Sequence, residues 1–206
     1  MKVLIINGSP RINGNTTIAI EEIEKIFKEN NVEFKTVQIG NKDIRGCIAC
    51  NFCAKNGRCV FNDEVNEIAS YFKDADGLII ASPVYFASAN GTLISFLDRL
   101  FYSTSFDKRM KVGASIAVCR RGGASATFDE LNKYFTIASM PVVSSTYWNS
   151  VHGRKVGEAV KDEEGLQTMR NLARNMIFLM NGIELAKKEM SLPENEHTYH
   201  TNFIHD

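Results

Sequence analysis

Apolar residues fall along this chain in two rhythms. Short unbroken runs at Val3–Ile6 and Leu78–Ala81 predict strands buried on both faces, as inside a parallel sheet. Lys111–Cys119, with Val112, Ile116 and Val118 among small residues, predicts another strand. Val32–Ile39 mixes apolar and polar positions and predicts a half-exposed edge strand. Pro141–Ser145 predicts a fifth. Elsewhere apolar residues recur every three or four positions, the mark of helices with one buried face. Thr16–Asn30 carries Ile20, Ile23 and Phe27 on one side, with Glu21, Glu22, Lys25 and Lys28 outside. Asn62-Asp63-Glu64 caps a second helix to about Lys73, with Val65, Ile68, Ala69 and Phe72 inward. Leu93, Phe96, Leu97 and Leu100 mark a third helix. Phe128, Leu131, Tyr134 and Phe135 mark a fourth, ending near Ser139. Leu166, Met169, Ala173, Met176 and Met180 stripe a long last helix from about Asp162 to Met190. Gly40–Phe61 and Thr146–Lys161 read as irregular, and residues 191–206 as a polar tail.

Strand and helix alternate throughout, which predicts one α/β domain over residues 1–190. Its centre is a doubly wound parallel sheet of five strands with helices on both faces. An amphipathic second strand belongs at the edge, giving the order 2-1-3-4-5. In such sheets ligands sit beyond the carboxyl ends of the strands, at the switch point between strands one and three. The loops after strands one, three and four converge there.

The first of these loops, Gly8 to Thr17, has what a phosphate needs: free backbone N–H groups, the hydroxyls of Ser9, Thr16 and Thr17, the Arg11 guanidinium and the positive end of a helix dipole. An ordinary capped turn is the alternative. The dinucleotide fingerprint G-x-G-x-x-G is absent, since only Gly8 and Gly14 are present. A Walker loop is excluded because residues 8–16 hold no lysine.

Composition narrows the classes. Formal net charge is zero and the pI is about 6.9, which argues against an electrostatic grip on nucleic acid or anionic lipid. No stretch is long and apolar enough to span a membrane, and the start of the chain does not read as a signal peptide. A cytoplasmic protein is expected. Four of the five cysteines, Cys47, Cys50, Cys53 and Cys59, lie within thirteen residues of the loop 46–60, and Cys119 stands apart. Four thiolates this close can wrap one ion or cluster: a [4Fe–4S] cluster, or zinc held tetrahedrally. Free or disulfide-bonded cysteines remain open. Cys119 reads as buried and inert, or as a neighbour of the ligand.

Asn7-Gly-Ser-Pro-Arg11, Gly14-Asn-Thr-Thr17 and Ser82-Pro-Val-Tyr85 resemble the flavodoxin-like NADPH-dependent FMN reductases. Gly46-Cys-Ile-Ala-Cys-Asn-Phe-Cys53 with Cys59 resembles the branch that includes the iron–sulfur flavoproteins. The resemblance covers residues 1–145 well. It implies that Ser9, Arg11, Asn15, Thr16 and Thr17 hold the FMN phosphate. Pro83, Val84, Tyr85 and Phe86 would pass along the isoalloxazine ring, and Arg120, Arg121, Gly122 and Gly123 would close over its polar edge. Core packing or a subunit contact is the alternative for Tyr85 and Phe86. Cys47, Cys50, Cys53 and Cys59 would be cluster ligands, and Ala49 stands where the family often has glycine. A homodimer or homotetramer is also implied.

Two functions of different class follow. One is an FMN-dependent oxidoreductase passing electrons from NAD(P)H through flavin to a quinone, a flavin or another small acceptor. The other is an electron carrier using FMN and a [4Fe–4S] cluster with ferredoxin-like partners. A regulatory module without turnover is a third, weaker reading. His197, His200 and His205 read as part of a solvated tail, with a metal site as the alternative. Trp148 shapes either an acceptor pocket or a subunit contact.

Overall fold

The fold is built on a parallel sheet that splits the apolar residues of each strand between two helical layers. In the computed structural model, which describes residues 1–201, the chain runs β1 (Lys2–Asn7), α1 (Asn15–Glu29), β2 (Glu33–Gln38), α2 (Phe52–Asn56), α3 (Glu64–Asp74), β3 (Gly77–Pro83), α4 (Gly91–Ser103), β4 (Val112–Cys119), α5 (Ala124–Ile137), β5 (Ser150–His152), a 3-10 turn (Glu158–Lys161) and α6 (Glu163–Glu189). The five strands are parallel in the order β2-β1-β3-β4-β5, the flavodoxin-like order expected from the sequence. Successive side chains of a strand point to opposite faces, so the run Val3–Ile6 serves both layers. Val3 and Ile5 pack with Ile20, Ile23, Phe27 and Met176 of α1 and α6. Leu4 and Ile6 pack with Ile68, Phe72, Phe96 and Leu97 of α3 and α4. All four β1 residues are at most 2% exposed, each burial contributing about 1.5–3 kcal/mol. β2 has no fully buried residue, as an edge strand should.

The fifth strand is not where the sequence placed it. Pro141–Ser145 contributes only an isolated bridge, Val142 beside Gly113. The Gly113 N–H donates to Pro141 O at 2.8 Å and the Val143 N–H to Gly113 O at 2.9 Å. The chain then leaves the sheet because α6 satisfies its polar groups instead. Ser145 Oγ donates to Thr168 O at 2.7 Å and Asn175 Nδ2 donates to Ser144 O at 2.8 Å. It returns at Asn149, and Ser150–His152 pairs with Ala117–Cys119. So Thr146–Lys161 is not wholly irregular: it holds β5 and the 3-10 turn. Nor is Gly40–Phe61 wholly a loop, since α2 lies inside it. Phe128 is only half-buried on α5, while Thr127 is fully buried. Glu22, expected outside, lies under α6 and accepts from Arg170 at 3.0 Å. Residues 191–201 form no helix or strand, and His205 lies outside the described residues. Among the described residues no helix is long and apolar enough to cross a membrane.

Asp162 joins this late-arriving edge to the long helix. Its Oδ1 accepts from Gly165 N at 2.9 Å, capping α6, and its Oδ2 accepts from the His152 backbone N–H at 2.6 Å. Burial alone would raise this carboxyl, but the donors of Gly165 and His152 outweigh it and hold it below its usual value of 3.8. Asp162→Ala is expected to cost about 2 kcal/mol in urea denaturation. A carboxyl depressed in the folded state stabilises fully above its unfolded pKa and loses that effect as pH falls through the folded one. The gap between variant and native protein should therefore be full at neutral pH and shrink below about pH 4. A gap that is unchanged down to the acid limit would refute the linkage.

Candidate functional site

The carboxyl ends of β1, β2 and β3 meet in a backbone knot. The Gly8 N–H donates to Ala81 O at 2.8 Å, continuing the β1–β3 ladder one residue past the strand. Gly40, where the chain leaves β2, passes directly over this turn: a Cβ there would lie 2.1 Å from Gly8 O, so only glycine fits. Asn90 ties the knot together. Its Nδ2 donates to Gly8 O at 2.7 Å, its N–H donates to Ser82 Oγ at 3.0 Å, and its Oδ1 accepts from Thr92 N at 3.1 Å, capping α4. Glu130 of α5 braces the next loop, accepting from Ser88 Oγ at 2.9 Å and from Ala89 N at 2.8 Å.

The residues expected to hold a phosphate come together at the start of α1, with different freedom to act. α1 begins at Gly14 without a side-chain cap. Among the described residues the Arg11 guanidinium and the Thr16 hydroxyl make no hydrogen bond within the chain. Arg11 is exposed. Ser9 is buried, and its Oγ accepts from Arg11 N at 3.1 Å. Thr17 Oγ1 accepts from Asn7 Nδ2 at 3.2 Å and donates to Ile12 O. Asn15 is occupied elsewhere: its Nδ2 donates to Lys155 O at 2.9 Å and its Oδ1 accepts from Ala159 N at 3.2 Å. Its side chain thus pins the connection after β5.

Beyond β3 the chain rises out of the sheet. Pro83 and Val84 are half-buried, Tyr85 is exposed and Phe86 projects wholly into solvent at 105% relative exposure. Core packing, one alternative for the two aromatics, is excluded. Phe86 (φ 51°) and Ala87 (φ 60°) both sit in the left-handed region, a strained pair held by the Tyr85–Ser88 bridge and by Glu130. After β4, Arg120, Arg121 and Gly122 are exposed. Gly123 (φ 87°) opens α5, and a Cβ on it would lie 2.9 Å from the Val84 side chain and 2.8 Å from Ala87 Cα. The loops after β3 and β4 therefore touch, as expected.

Cys47, Cys50, Cys53 and Cys59 all line one apolar cleft, together with Ile48, Val60, Phe61, Arg99 and Tyr102. Cys47 and Cys50 are exposed, Cys53 is half-buried on α2 and Cys59 is buried. Ala49 (φ 53°) and Asn51 (φ 55°) adopt left-handed backbone between the first cysteines. A left-handed Ala49 carries about 1 kcal/mol of strain that a glycine there would relieve. Among the described residues no three His, Cys, Asp or Glu side chains gather tightly enough for a single ion. Burial pushes the Cys119 thiol up, and it lies at the end of β4, away from this group.

A larger cavity of about 850 Å³ adjoins the cysteine cleft, between α4 and α5, with Cys47, Phe101, Tyr102, Tyr134 and His197 on its walls. None of its lining residues belongs to the loops that follow β1, β3 and β4. Three residues that organise these sites escaped the sequence reading. Asn90 carried a helix-cap signal before Leu93. Arg99 falls three residues after Phe96, on the buried face of α4. Glu130 looks like any solvated helix acid.

A family model for NADPH-dependent FMN reductase matches residues 1–155. An iron–sulfur flavoprotein of Methanocaldococcus jannaschii is 36% identical over 196 residues, covering 91% of this chain and 100% of that protein. An iron–sulfur flavoprotein of Methanosarcina thermophila is 31% identical over 188 residues, covering 89% and 97%. The crystal structure of RosB, solved with 8-demethyl-8-formylriboflavin-5'-phosphate bound, superposes with a TM-score of 0.73 at 14% identity, covering 100% of this chain and 95% of that one, and so shares the fold. The chain belongs to the NADPH-dependent FMN reductase family, a family of flavin-dependent oxidoreductases, and is similar to its iron–sulfur flavoproteins.

Proposed function

We propose that this protein carries electrons between FMN, bound at the β1, β3 and β4 loops, and a [4Fe–4S] cluster held by Cys47, Cys50, Cys53 and Cys59, serving a ferredoxin-like partner. The observation that carries this reading is the common cleft lined by all four cysteines. Bound FMN supplies exchange between two-electron and one-electron chemistry, and the cluster supplies one-electron transfer. The remaining work belongs to the chain.

The uncapped α1 terminus, the unpartnered Arg11 guanidinium and the Thr16 hydroxyl suit a phosphate, supported by the helix dipole. Ser9 and Thr17 hold the loop in shape through Arg11 N and Asn7. The Asn15 side chain positions the loop against the connection after β5 through Lys155 O and Ala159 N, which leaves one amide N–H for the phosphate. Tyr85 and Phe86 stand exposed where a flat aromatic ligand needs a wall, and the strained turn under them is braced by Glu130. Arg120 to Gly123 offer guanidinium and backbone donors to the same space. In the cysteine cleft, Ile48, Val60 and Phe61 give the sulfurs an apolar surround, closed over Cys59 and open to solvent at Cys47 and Cys50. Four thiols match the donor set of a cubane cluster.

The family model supports a second reading, in which NAD(P)H reduces the flavin and a quinone, a flavin or another small acceptor takes the electrons. Anaerobic kinetics separate the two. Slow NAD(P)H oxidation with fast exchange with ferredoxin belongs to the carrier, and the reverse belongs to the reductase. Size-exclusion chromatography checks the homodimer or homotetramer that the family resemblance implies.

Protein purified without oxygen should show flavin bands on a broad visible absorption that dithionite bleaches. Cys47→Ser or Cys50→Ser should remove the broad component and keep the flavin. Flavin bands alone in the native protein would end the cluster reading. Separately, Tyr85→Ala and Phe86→Ala should each weaken FMN binding about tenfold, or about 1.4 kcal/mol, in fluorescence titration. Unchanged affinity in both would move the ring away from this segment.

A further inference from the structure

The buried guanidinium of Arg99 is the feature of the cysteine cleft that neither the family resemblance nor the proposed function explains. Arg99 sits on α4 and its side chain is 1% exposed. Its fork is bidentate to Asp63, with Nη1 donating to Oδ2 at 2.7 Å and Nη2 to Oδ1 at 2.8 Å. The other edge faces Cys59: Nε and Nη2 both donate to its Sγ at 3.3 Å. Nη1 also donates to Arg45 O at 3.2 Å. These are five N–H bonds for the five donors of a guanidinium, with none left over. The Phe61 ring lies 4.9 Å from the guanidinium carbon and covers one face.

The backbone of Cys59 is fixed as firmly as its sulfur. Asn66 of α3 accepts from Cys59 N at 2.9 Å and donates to Cys59 O at 3.0 Å and Phe61 O at 2.8 Å. Asp63, the partner of Arg99, also caps α3 through Val65 N at 3.2 Å. Two helices and an ion pair thus locate one sulfur of the four. Among the described residues, the only hydrogen bond to another of these sulfurs is the local one from Ala49 N to Cys47 Sγ at 3.4 Å.

We propose that Arg99 is the positioning residue of the cluster: it presents the Cys59 sulfur as the fixed fourth ligand and, by donating two N–H groups to it, raises the cluster's reduction potential. This rests on the cluster reading above. The sign follows from charge. Reduction adds negative charge to the cluster and its sulfurs, and donors aimed at a sulfur stabilise the more negative state. Because Asp63 neutralises the guanidinium, the effect is carried by the aimed N–H groups rather than by a free positive charge.

Arg99→Lys keeps the charge opposite Asp63, but a single ammonium cannot hold both carboxylate oxygens and the sulfur. Anaerobically reconstituted native and variant chains are compared by potentiometric titration, following the flavin and cluster signals separately. The expected result is a more negative cluster midpoint in the variant, an unmoved flavin midpoint and a lower iron and sulfide content after gel filtration. Cluster midpoints that coincide in native and variant protein overturn the proposal and leave the cluster reading standing. A native protein that takes up flavin but no iron or sulfide overturns both. Should Arg99→Lys fail to fold, the pair Arg99→Gln with Asp63→Asn leaves no unpaired buried charge. Its cluster midpoint decides the matter in the same way, negative shift for and coincidence against.

Discussion

The constraint on which the rest of the structure depends is the close passage of backbone over backbone at the end of β1. Gly40 lies against the Gly8 carbonyl with no room for a Cβ, while Gly8 is bonded to Ala81 O on one side and to Asn90 Nδ2 on the other. This one knot sets where the chain departs from β1, β2 and β3. It aims the first loop at the α1 terminus and turns the Tyr85–Phe86 segment outward. Its polar groups are satisfied internally, so the knot does not compete with a ligand for donors. Free donors lie beside it at the uncapped α1 terminus, at the place where a doubly wound sheet has its switch point.

The central sheet was legible because β1, β3 and β4 are buried on both faces: β1 and β3 leave unbroken apolar runs, and β4 sets Val112, Ile116 and Val118 among small residues. β5 was illegible for the opposite reason. It has three residues, only Val151 of them apolar, and takes its register from β4 rather than from its own pattern. Pro141–Ser145 has the composition of a strand, but its serine hydroxyl and carbonyl are claimed by α6, an interaction that no local periodicity encodes. Helix existence was read correctly for the five long helices. α2 was missed because five residues between left-handed Asn51 and Gly57 carry too little periodicity.

The candidate site divides along the same line. The cysteine spacing and the hydroxyl-rich first loop could be read directly, because chemistry of this kind is written in residue type. What the spacing did not carry was which group each side chain would serve. Asn15 looks like a phosphate donor in the sequence, yet its amide closes onto Lys155 and Ala159, far along the chain. Glu130 and Asn90 brace the loops through long-range contacts of the same sort.

The Arg99–Asp63 pair makes little sense as a stabiliser. Desolvating a guanidinium and a carboxylate costs several kcal/mol before their attraction offsets it, and an apolar pair of like volume does as well or better. The position supports this argument, since Arg99 interrupts a face of α4 otherwise made of Phe96, Leu97 and Leu100, all fully buried. What an apolar side chain at that place cannot do is aim N–H groups at a sulfur while holding the helix that carries the neighbouring cap. The guanidinium does both at once, because its planar fork spends one edge on Asp63 and the other on Cys59. A buried charge that costs stability and leaves no donor unused is best explained by what it points at.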